Sequence, residues 1–228
     1  MDYDSLLELV EKRRSVHKFK PDPIPDEYID KIIEVAHWAP SGANSQPWEF
    51  VVIKKEELRN EIIEIHKKAT AVMAEIELTR EQELRFNLHH LAPPSFINAP
   101  VFIIPFGDPR AKDCFPLGAR LERGDAIFAS SLASAFLYMM LGATALGLGA
   151  QWVSAVAHHY PQSIIKDLLG VPKELEMYDM MAVGYPDMEP PPRLVRPREE
   201  IVQYDGYDKT KFRTDRQVRD FIIRLRKD

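Results

Sequence analysis

The chain has 228 residues, of which 45% are hydrophobic and 29% are charged, as in a globular protein large enough to bury a sizeable core. A net charge of −5 argues against nucleic acid as the main partner, because phosphate binding requires a basic surface. The one cysteine, Cys114, excludes an internal disulfide and argues against a cysteine-based metal site. Because the N-terminus is charged and lacks the apolar core of a signal peptide, we expect a cytoplasmic protein without a membrane partner.

The first two predicted helices flank a cluster of basic residues. Apolar residues at helical spacing predict one helix over residues 3–12 and another from residue 25 to about residue 40. Between them, residues 13–18 read R-R-S-V-H-K. A charged helix end is the simpler interpretation of this run. Two arginines next to a hydroxyl group also form a compact anion site, since arginine binds phosphate oxygens through two N–H groups at once.

Residues 40–48 read P-S-G-A-N-S-Q-P-W and lead into a strand predicted over residues 49–54. One interpretation is an ordinary helix-to-strand turn. The other takes account of the length of the loop, its two prolines and its many hydroxyl and amide groups. Such a rigid loop can present hydrogen-bonding groups to a planar polar ligand.

The middle of the chain alternates charged and apolar stretches. Residues 56–78 are predicted to form a charged helix, and residues 79–99 an irregular segment suited to a lid. Residues 100–106 are apolar and predict a buried strand. We expect a loop over residues 109–124, after which Asp125 caps a long helix. That helix is apolar nearly all round, so either the core or a second subunit must cover it.

The C-terminal third begins where this long helix is predicted to end, near residue 146. The glycine turn at residues 147–150 has neither the G-x-G-x-x-G nor the Walker-type pattern, although glycine lets a backbone approach a ligand closely. The remaining predicted elements are a strand over 151–157, a helix over 161–169, a strand over 177–183, an extended basic segment over 190–198, and a C-terminal helix after a polar linker that starts at residue 204.

The candidate chemistry does not come from a local nucleophile or a metal site. The adjacent histidine pairs at residues 89–90 and 158–159 make poor chelates, because neighbouring side chains diverge. The chain offers instead two basic clusters, residues 13–18 and 193–198, together with the amide-rich loop and the glycine turn. This combination suits a phosphorylated cofactor that brings its own reactivity.

In these segments the chain resembles the nitroreductase-like flavoprotein family. Residues 13–16 are similar to the family's opening R-R-S-x-R-x-F, and residues 40–48 to its P-S-x-x-N-x-Q-P-W loop. Residues 147–152 resemble its G-L-G-T-x-W turn, and residues 184–202 its closing G-x-P…R-x-P-x-E-E-x-V. The four matches occur in the family's order and run from about residue 8 to residue 202.

The resemblance implies an α+β fold with a central, mostly antiparallel sheet flanked by helices, in an intertwined homodimer. Residues 1–204 would form one FMN-binding domain, in which residues 79–124 include a lid or substrate cap. Residues 205–228 would be a C-terminal extension that packs on the partner subunit. The flavin N5 would carry the chemistry, with no catalytic side chain and no metal.

The implied FMN contacts come from three parts of the chain. The first basic cluster and two later arginines would hold the phosphate and ribityl chain, the loop would reach the isoalloxazine from the partner subunit, and the strand after the glycine turn would line the ring. His17 stands where the family usually has arginine or lysine, so it would stabilise negative charge near flavin N1 less. The residues carried over are Arg13, Arg14, Ser15, His17, Pro40, Ser41, Gly42, Asn44, Gln46, Trp152, Val153, Ser154, Ala155, Arg193 and Arg196.

The implied function is an FMN-dependent, ping-pong transfer of hydride from a reduced nicotinamide to an electron-poor acceptor such as a nitroaromatic or a quinone. The donor could be NADH, NADPH or a deazaflavin. Two alternatives stay open. One keeps the fold but specialises the flavin chemistry to dehalogenation, flavin destruction or azoline oxidation. The other is a non-catalytic, flavin-binding dimer.

Overall fold

The computed structural model describes residues 2–86 and 93–227 and divides the chain into two compact units. The first unit comprises residues 1–69 and 92–190, and the second comprises residues 70–91 and 191–228. The helices are α1 (Tyr3–Lys12), α2 (Asp26–His37), α3 (Glu56–Glu77), α4 (Leu117–Ala145), α5 (His159–Leu169), α6 (Arg198–Ile201) and α7 (Asp215–Lys227).

A five-stranded sheet lies at the centre of the first unit. The strand pairs β1–β2, β2–β4, β2–β5 and β3–β5 are all antiparallel. The spatial order is β1-β2-β5-β3, and the short strand β4 pairs with β2. The predicted α+β class with a mostly antiparallel sheet is therefore confirmed. The strands are β1 (Trp48–Ile53), β2 (Val101–Gly107), β3 (Gly149–Val153), β4 (Glu176–Met177) and β5 (Met180–Gly184).

Strand β2 is buried on both faces of the sheet, as its continuous apolar sequence predicts. Because successive side chains point to opposite faces, Val101 and Ile103 pack into one hydrophobic cluster, and Phe102 and Ile104 into the other. Helices α2 and α4 cover the first face, and α3 and α5 cover the second. The sheet thus forms the middle layer of an α–β–α arrangement.

Helix α4 begins at Leu117, eight residues before its predicted start. The prediction of a loop over residues 109–124, and of Asp125 as the cap, is therefore wrong. Asp125 lies inside the helix, where Oδ1 accepts a hydrogen bond from Lys112 Nζ at 2.6 Å. The first turns escaped the sequence analysis because their apolar residues, Leu117 and Leu121, face solvent and give no buried stripe.

Helix α4 is buried on one side and exposes a stripe of small and apolar residues on the other. It has the length and hydropathy of a membrane span, but half of its most apolar window is buried in the protein, as in the core helix of a globular fold. The exposed stripe is available for close approach of another helix. Its residues are Ala126, Ala129, Ser130 and Leu137.

Two predicted strands differ from the observed ones. Strand β3 ends at Val153, and residues 155–157 form a 3-10 turn instead of continuing the strand. The strand predicted over residues 177–183 is split into β4 and β5, which both pair with β2. Tyr178 and Asp179 lie between the two strands. The interruption places Asp179 at the end of the sheet.

The second unit contains the end of α3, a 3-10 turn at Gln82–Leu84, and helices α6 and α7. The C-terminal helix is confirmed, and Arg219 of α7 forms ion pairs with Glu81 and Glu83. This small unit exposes many large apolar side chains, a pattern typical of a surface that a partner covers. They include Val72, Ile76, Leu78, Phe86, Val195, Ile201, Tyr204, Tyr207 and Phe212.

The predicted lid over residues 79–124 lies only partly within the described residues. Residues 87–92, with the histidine pair at 89–90, lie outside them. The remainder contains 3-10 turns, strand β2 and the start of α4. The lid role, and the division into a domain over residues 1–204 and an extension over 205–228, stay predictions.

Candidate functional site

The first basic cluster is fixed beside the start of β3. The N–H of Val16 donates to the carbonyl oxygen of Ala150 at 3.0 Å, and Ser15 forms a parallel bridge with the same residue. The close contact requires Gly149, because a Cβ there would lie 2.6 Å from Cγ2 of Val16. Arg13 and its neighbours therefore occupy a defined place at the edge of the sheet.

Arg14 lines a cavity of about 200 Å³ at the C-terminal end of α4. Thr144 and Gly147 contribute to the same cavity, together with Lys12 and Met188. A cation in this place also interacts favourably with the negative end of the helix dipole. The simpler interpretation of the basic run, charge at a helix end, also holds, because Lys12 lies in the last turn of α1 and Arg13 is its C-cap.

The amide-rich loop adopts a strained backbone. Three non-glycine residues have positive φ angles: Ala43 at 50°, Asn44 at 53° and Gln46 at 42°. Residues other than glycine rarely adopt this conformation, which persists only where the surrounding structure enforces it and often marks a functional site. The strain favours the interpretation of the loop as a binding element over that of an ordinary helix-to-strand turn.

Helix α4 holds the loop in this conformation. The N–H of Gly42 donates to Oγ of Ser131 at 3.1 Å, and a Cβ at position 42 would lie only 2.2 Å from Cγ2 of Ile127. Within the loop, the N–H of Gln46 donates to Oγ of Ser41 at 3.0 Å. The start of the loop is thus bound directly to the surface of the helix.

Removal of the Ser131 hydroxyl should destabilise this attachment. Ser131 is buried, and in Ser131→Ala the Gly42 N–H loses its acceptor, which typically costs about 1–3 kcal/mol. We expect this loss of unfolding free energy in urea titrations. The matched control is Ser134→Ala on the same helix. The Ser134 hydroxyl donates a hydrogen bond only to the carbonyl oxygen of Ser130, within the helix itself. Equal stability of the two variants would contradict the attachment.

Within one copy of the chain, the loop and the basic cluster contact α4 at separate places. The loop contacts Ser131, whereas Arg14 shares its cavity with Thr144. Thirteen residues of α-helix span about 20 Å at 1.5 Å per residue. The structure therefore does not bring Ser41, Gly42 and Asn44 to the basic cluster of the same copy.

The end of β3 presents an aromatic surface. The ring of Trp152 packs on Phe136 with centroids 4.1 Å apart and planes tilted by 32°, and the residue is 36% exposed. Val153 is buried, Ser154 is exposed, and Ala155 opens the following 3-10 turn. Trp152 lies two residues from Ala150, which pairs with Ser15, so the basic cluster adjoins the strand that carries this surface.

Asp179 is absent from the predicted site residues, and its Oδ2 accepts a hydrogen bond from Nε1 of Trp152. Burial raises the pKa of its carboxyl, against the lowering effects of Trp152, His158 and Ser154. The available signal was an acidic residue within an otherwise apolar run, M-Y-D-M-M. The prediction of one continuous strand over that run concealed it.

His17 belongs to the basic cluster, and its backbone N–H donates to Sδ of Met188 at 3.2 Å. Although the residue as a whole is exposed, desolvation of the ring lowers its pKa below 6.5. The lowered pKa favours the neutral imidazole.

Arg193 and Arg196 belong to the second unit, so their predicted meeting with Arg13 and Arg14 stays a prediction. Arg193 is exposed. Arg196 Nη2 donates to the carbonyl oxygen of Glu200 at 3.3 Å, and Arg196 Nε lies 3.5 Å from the Glu200 carboxylate. Arg196 also lines a cavity of about 480 Å³ within that unit.

Comparison with known proteins supplies the family. The family model described as "Nitroreductase family" matches residues 10–185. The 5,6-dimethylbenzimidazole synthase of Rhodospirillum rubrum is 31% identical over 196 residues, which are 85% of this chain and 88% of that protein. The iodotyrosine deiodinase of Thermotoga neapolitana is 28% identical over 204 residues, 89% of this chain and 98% of that protein.

Solved structures show the same fold. The nitroreductase with bound FMN from Bacteroides fragilis superimposes with a TM-score of 0.66 at 20% identity, covering 90% of this chain and all of that chain. The family model spans all five strands of the sheet, helices α2 to α5, the basic cluster and the amide-rich loop. The chain therefore belongs to the nitroreductase family.

Proposed function

We propose that the chain is an FMN-dependent oxidoreductase, active as a homodimer, which transfers hydride from a reduced nicotinamide to an electron-poor acceptor by a ping-pong mechanism. The observation that carries the proposal is the separation of the loop and the basic cluster on α4 of one copy. In the proposed homodimer, the loop of one copy and the basic cluster of the other would contact the same FMN. Family membership and the FMN-bound neighbour support the choice of cofactor.

The exposed stripe of α4 suggests how two copies come together. In an isologous dimer, residue i of one copy meets residue j of the other, and j meets i. Antiparallel contact between the two α4 helices would bring the helix region that holds the loop to the partner's basic cluster. Residue 131, beside the loop, and residue 144, beside the basic cluster, lie equally far along α4 from the midpoint between residues 137 and 138. An antiparallel crossing at that midpoint would therefore place residue 131 of one copy opposite residue 144 of the other. Leu137, 44% exposed, lies at that point.

The residues of the first unit fit the parts of FMN. Arg13, Arg14 and Ser15 offer the charge and hydrogen-bond donors that a phosphate and a ribityl chain require. From the second unit, Arg196 and Arg193 would add further charge. When bound, FMN would supply the hydride chemistry at N5 of its ring.

The isoalloxazine ring would be held by the loop and by the end of β3. Pro40, Ser41, Gly42, Asn44 and Gln46 would approach it from the other copy, with the strained backbone presenting amide groups in a fixed direction. Trp152, Val153, Ser154 and Ala155 would line the ring. These residues would position donor and acceptor in turn at the same place and exclude water.

A second candidate function is specialised flavin chemistry on the same site. It is favoured by the full-length likeness to a 5,6-dimethylbenzimidazole synthase and to an iodotyrosine deiodinase. In this case residues 79–124 would shape the pocket for one acceptor. The alternatives then are flavin destruction and reductive dehalogenation.

The spectrum of the purified protein separates these functions. We expect flavin absorbance that NADH or NADPH bleaches without oxygen, and that a nitroarene or quinone restores. Recovery with iodotyrosine, but with neither of those acceptors, would favour dehalogenation, and loss of the flavin bands in air after reduction would favour flavin destruction. Bound FMN that no donor reduces would indicate a non-catalytic dimer, and a colourless protein that takes up no FMN would overturn the proposal.

His17 should give the flavin a pH-dependent environment. Because its pKa is lowered, the ring is neutral at pH 7 and gains its proton only as the pH falls below the ordinary histidine range. The protonated ring would stabilise negative charge near N1 of a bound flavin. The same lowered pKa makes the folding stability depend on pH. The contribution of His17 to the free energy of unfolding is fully present above pH 6.5, where the ring is neutral, and is lost as the pH falls through the lowered pKa.

The substitution His17→Arg should make this positive charge permanent. We expect a more positive flavin midpoint potential at pH 7 and a smaller rise of that potential on acidification than in the unmodified protein. Redox titrations from about pH 5 to pH 8 measure both effects. The control is Ser163→Arg, which adds the same charge at an exposed position of α5. An equal shift in both variants would remove His17 from the flavin environment.

A further inference from the structure

Asp179 is a charged residue in an apolar part of the sheet. It directly precedes β5, whose first residue, Met180, pairs with Val153 of β3. Met180 and Met181 are fully buried. Asp179 itself is half-buried, and burying a carboxylate costs free energy unless it is hydrogen-bonded. The presence of aspartate here therefore requires an explanation.

The contacts of Asp179 lead to Trp152. The carboxylate accepts the hydrogen bond of the indole N–H, and the face of the indole rests on Phe136 at a centroid distance of 4.1 Å. Tyr178 adds an edge contact, with its centroid 6.1 Å from that of Trp152. Packing restricts the indole from one face, and the hydrogen bond fixes its rotation in the plane. Together they set the direction of the exposed face.

The electrostatic surroundings of the carboxylate are also defined. His158 and Ser154 act on it from the segment after β3, and burial opposes its charge. Desolvated carboxylates next to a defined partner are typical of functional sites. A negative charge held in a poorly solvated place acts over a longer distance than one in water.

We propose that Asp179 is a positioning residue that fixes the plane of the Trp152 indole against the flavin, and that its negative charge lowers the reduction potential of the bound FMN. The inference rests on the proposed function, which places Trp152 at the ring. The indole N–H needs only an acceptor, so asparagine can replace the hydrogen bond. The effect on the potential needs the charge, which asparagine lacks.

The positioning part can be tested on the intact protein by the indole N–H signals in a ¹H–¹⁵N spectrum. The chain has three tryptophans, and the variant Trp152→Phe assigns the signal of interest. We expect that signal to show slow solvent exchange in the unmodified protein and in Asp179→Asn. In Asp179→Leu it should shift upfield and exchange faster. An unchanged signal in Asp179→Leu would overturn the positioning role, whether or not the protein binds FMN.

The charge part is tested by the flavin midpoint potential. Asp179→Asn should make it more positive by about 30 mV, which for a two-electron couple corresponds to a tenfold change in the reduction equilibrium. Asp167→Asn, the same substitution at an exposed position of α5, should leave the flavin midpoint potential unchanged. Equal potentials in the two variants would overturn the charge role. A failure of FMN to bind at all would instead contradict the proposed function, and the indole signals would still decide the positioning.

Discussion

The double variant Arg14→Ala/Arg196→Ala is expected to emerge from purification without FMN. Each arginine would give a charge-assisted contact to the cofactor, typically worth about 1.5–3 kcal/mol. Loss of two such contacts weakens binding by roughly 10²-fold to 10⁴-fold, since 1.4 kcal/mol is a factor of ten. The flavin absorbance of the purified protein, followed by titration with free FMN, measures the effect.

The control for this variant removes two other arginines with carboxylate partners. Arg110 pairs with Asp108, and Arg216 with Asp220, both on exposed surfaces. The double variant Arg110→Ala/Arg216→Ala should keep its flavin, because surface ion pairs contribute little. Full FMN occupancy in Arg14→Ala/Arg196→Ala would remove the phosphate assignment from both arginines.

The substitution Leu137→Lys is expected to separate the dimer and release the cofactor together. The proposed antiparallel contact of the two α4 helices would cross at Leu137, so the dimer would bring two lysine charges together in an apolar interface. An unpaired buried charge costs several kcal/mol. Size-exclusion chromatography with light scattering should show a monomer, and the flavin absorbance should fall with the dimer fraction.

Leu121→Lys provides the comparison on the same helix. Leu121 is 77% exposed, and the antiparallel contact would place it opposite a residue beyond the end of the partner's helix. This variant should remain dimeric and yellow. A dimeric Leu137→Lys protein with full flavin would show that the two copies meet elsewhere.

The main elements of the fold could be predicted because their signals are local. Helix α1 shows the apolar spacing of an amphipathic helix, and β2 is a continuous apolar run between prolines and glycine. The start of α4 could not be predicted in the same way. Its first turns face solvent on most sides, so no buried stripe distinguishes them from a loop.

The candidate site shows a similar division. Motifs identified the basic cluster, the loop and the glycine turn, because each is a short run of chemically distinct residues. The left-handed backbone at Asn44 could not be predicted, since the loop is attached to α4 through tertiary contacts of Gly42 with Ile127 and Ser131. Asp179 was missed because its partner, Trp152, is 27 residues away in the sequence.

The distance along α4 between the loop and the basic cluster also cannot be predicted from a sequence pattern. Both segments were identified in the right order, but their separation of about 20 Å depends on how the loop docks on the helix and how β3 returns along it. In the proposed homodimer, the second copy of the chain would bridge that separation.

The most direct test of a site shared between two copies is a mixed dimer. One copy carries Arg13→Ala/Arg14→Ala and an intact loop. The other carries Gly42→Ala, whose new Cβ would displace the loop from Ile127, and an intact basic cluster. Each variant alone should form a dimer without FMN. Co-expressed and separated by different tags, the mixed dimer should recover one complete site and bind about one FMN per dimer. A mixed dimer as empty of FMN as its two parents would contradict the shared site.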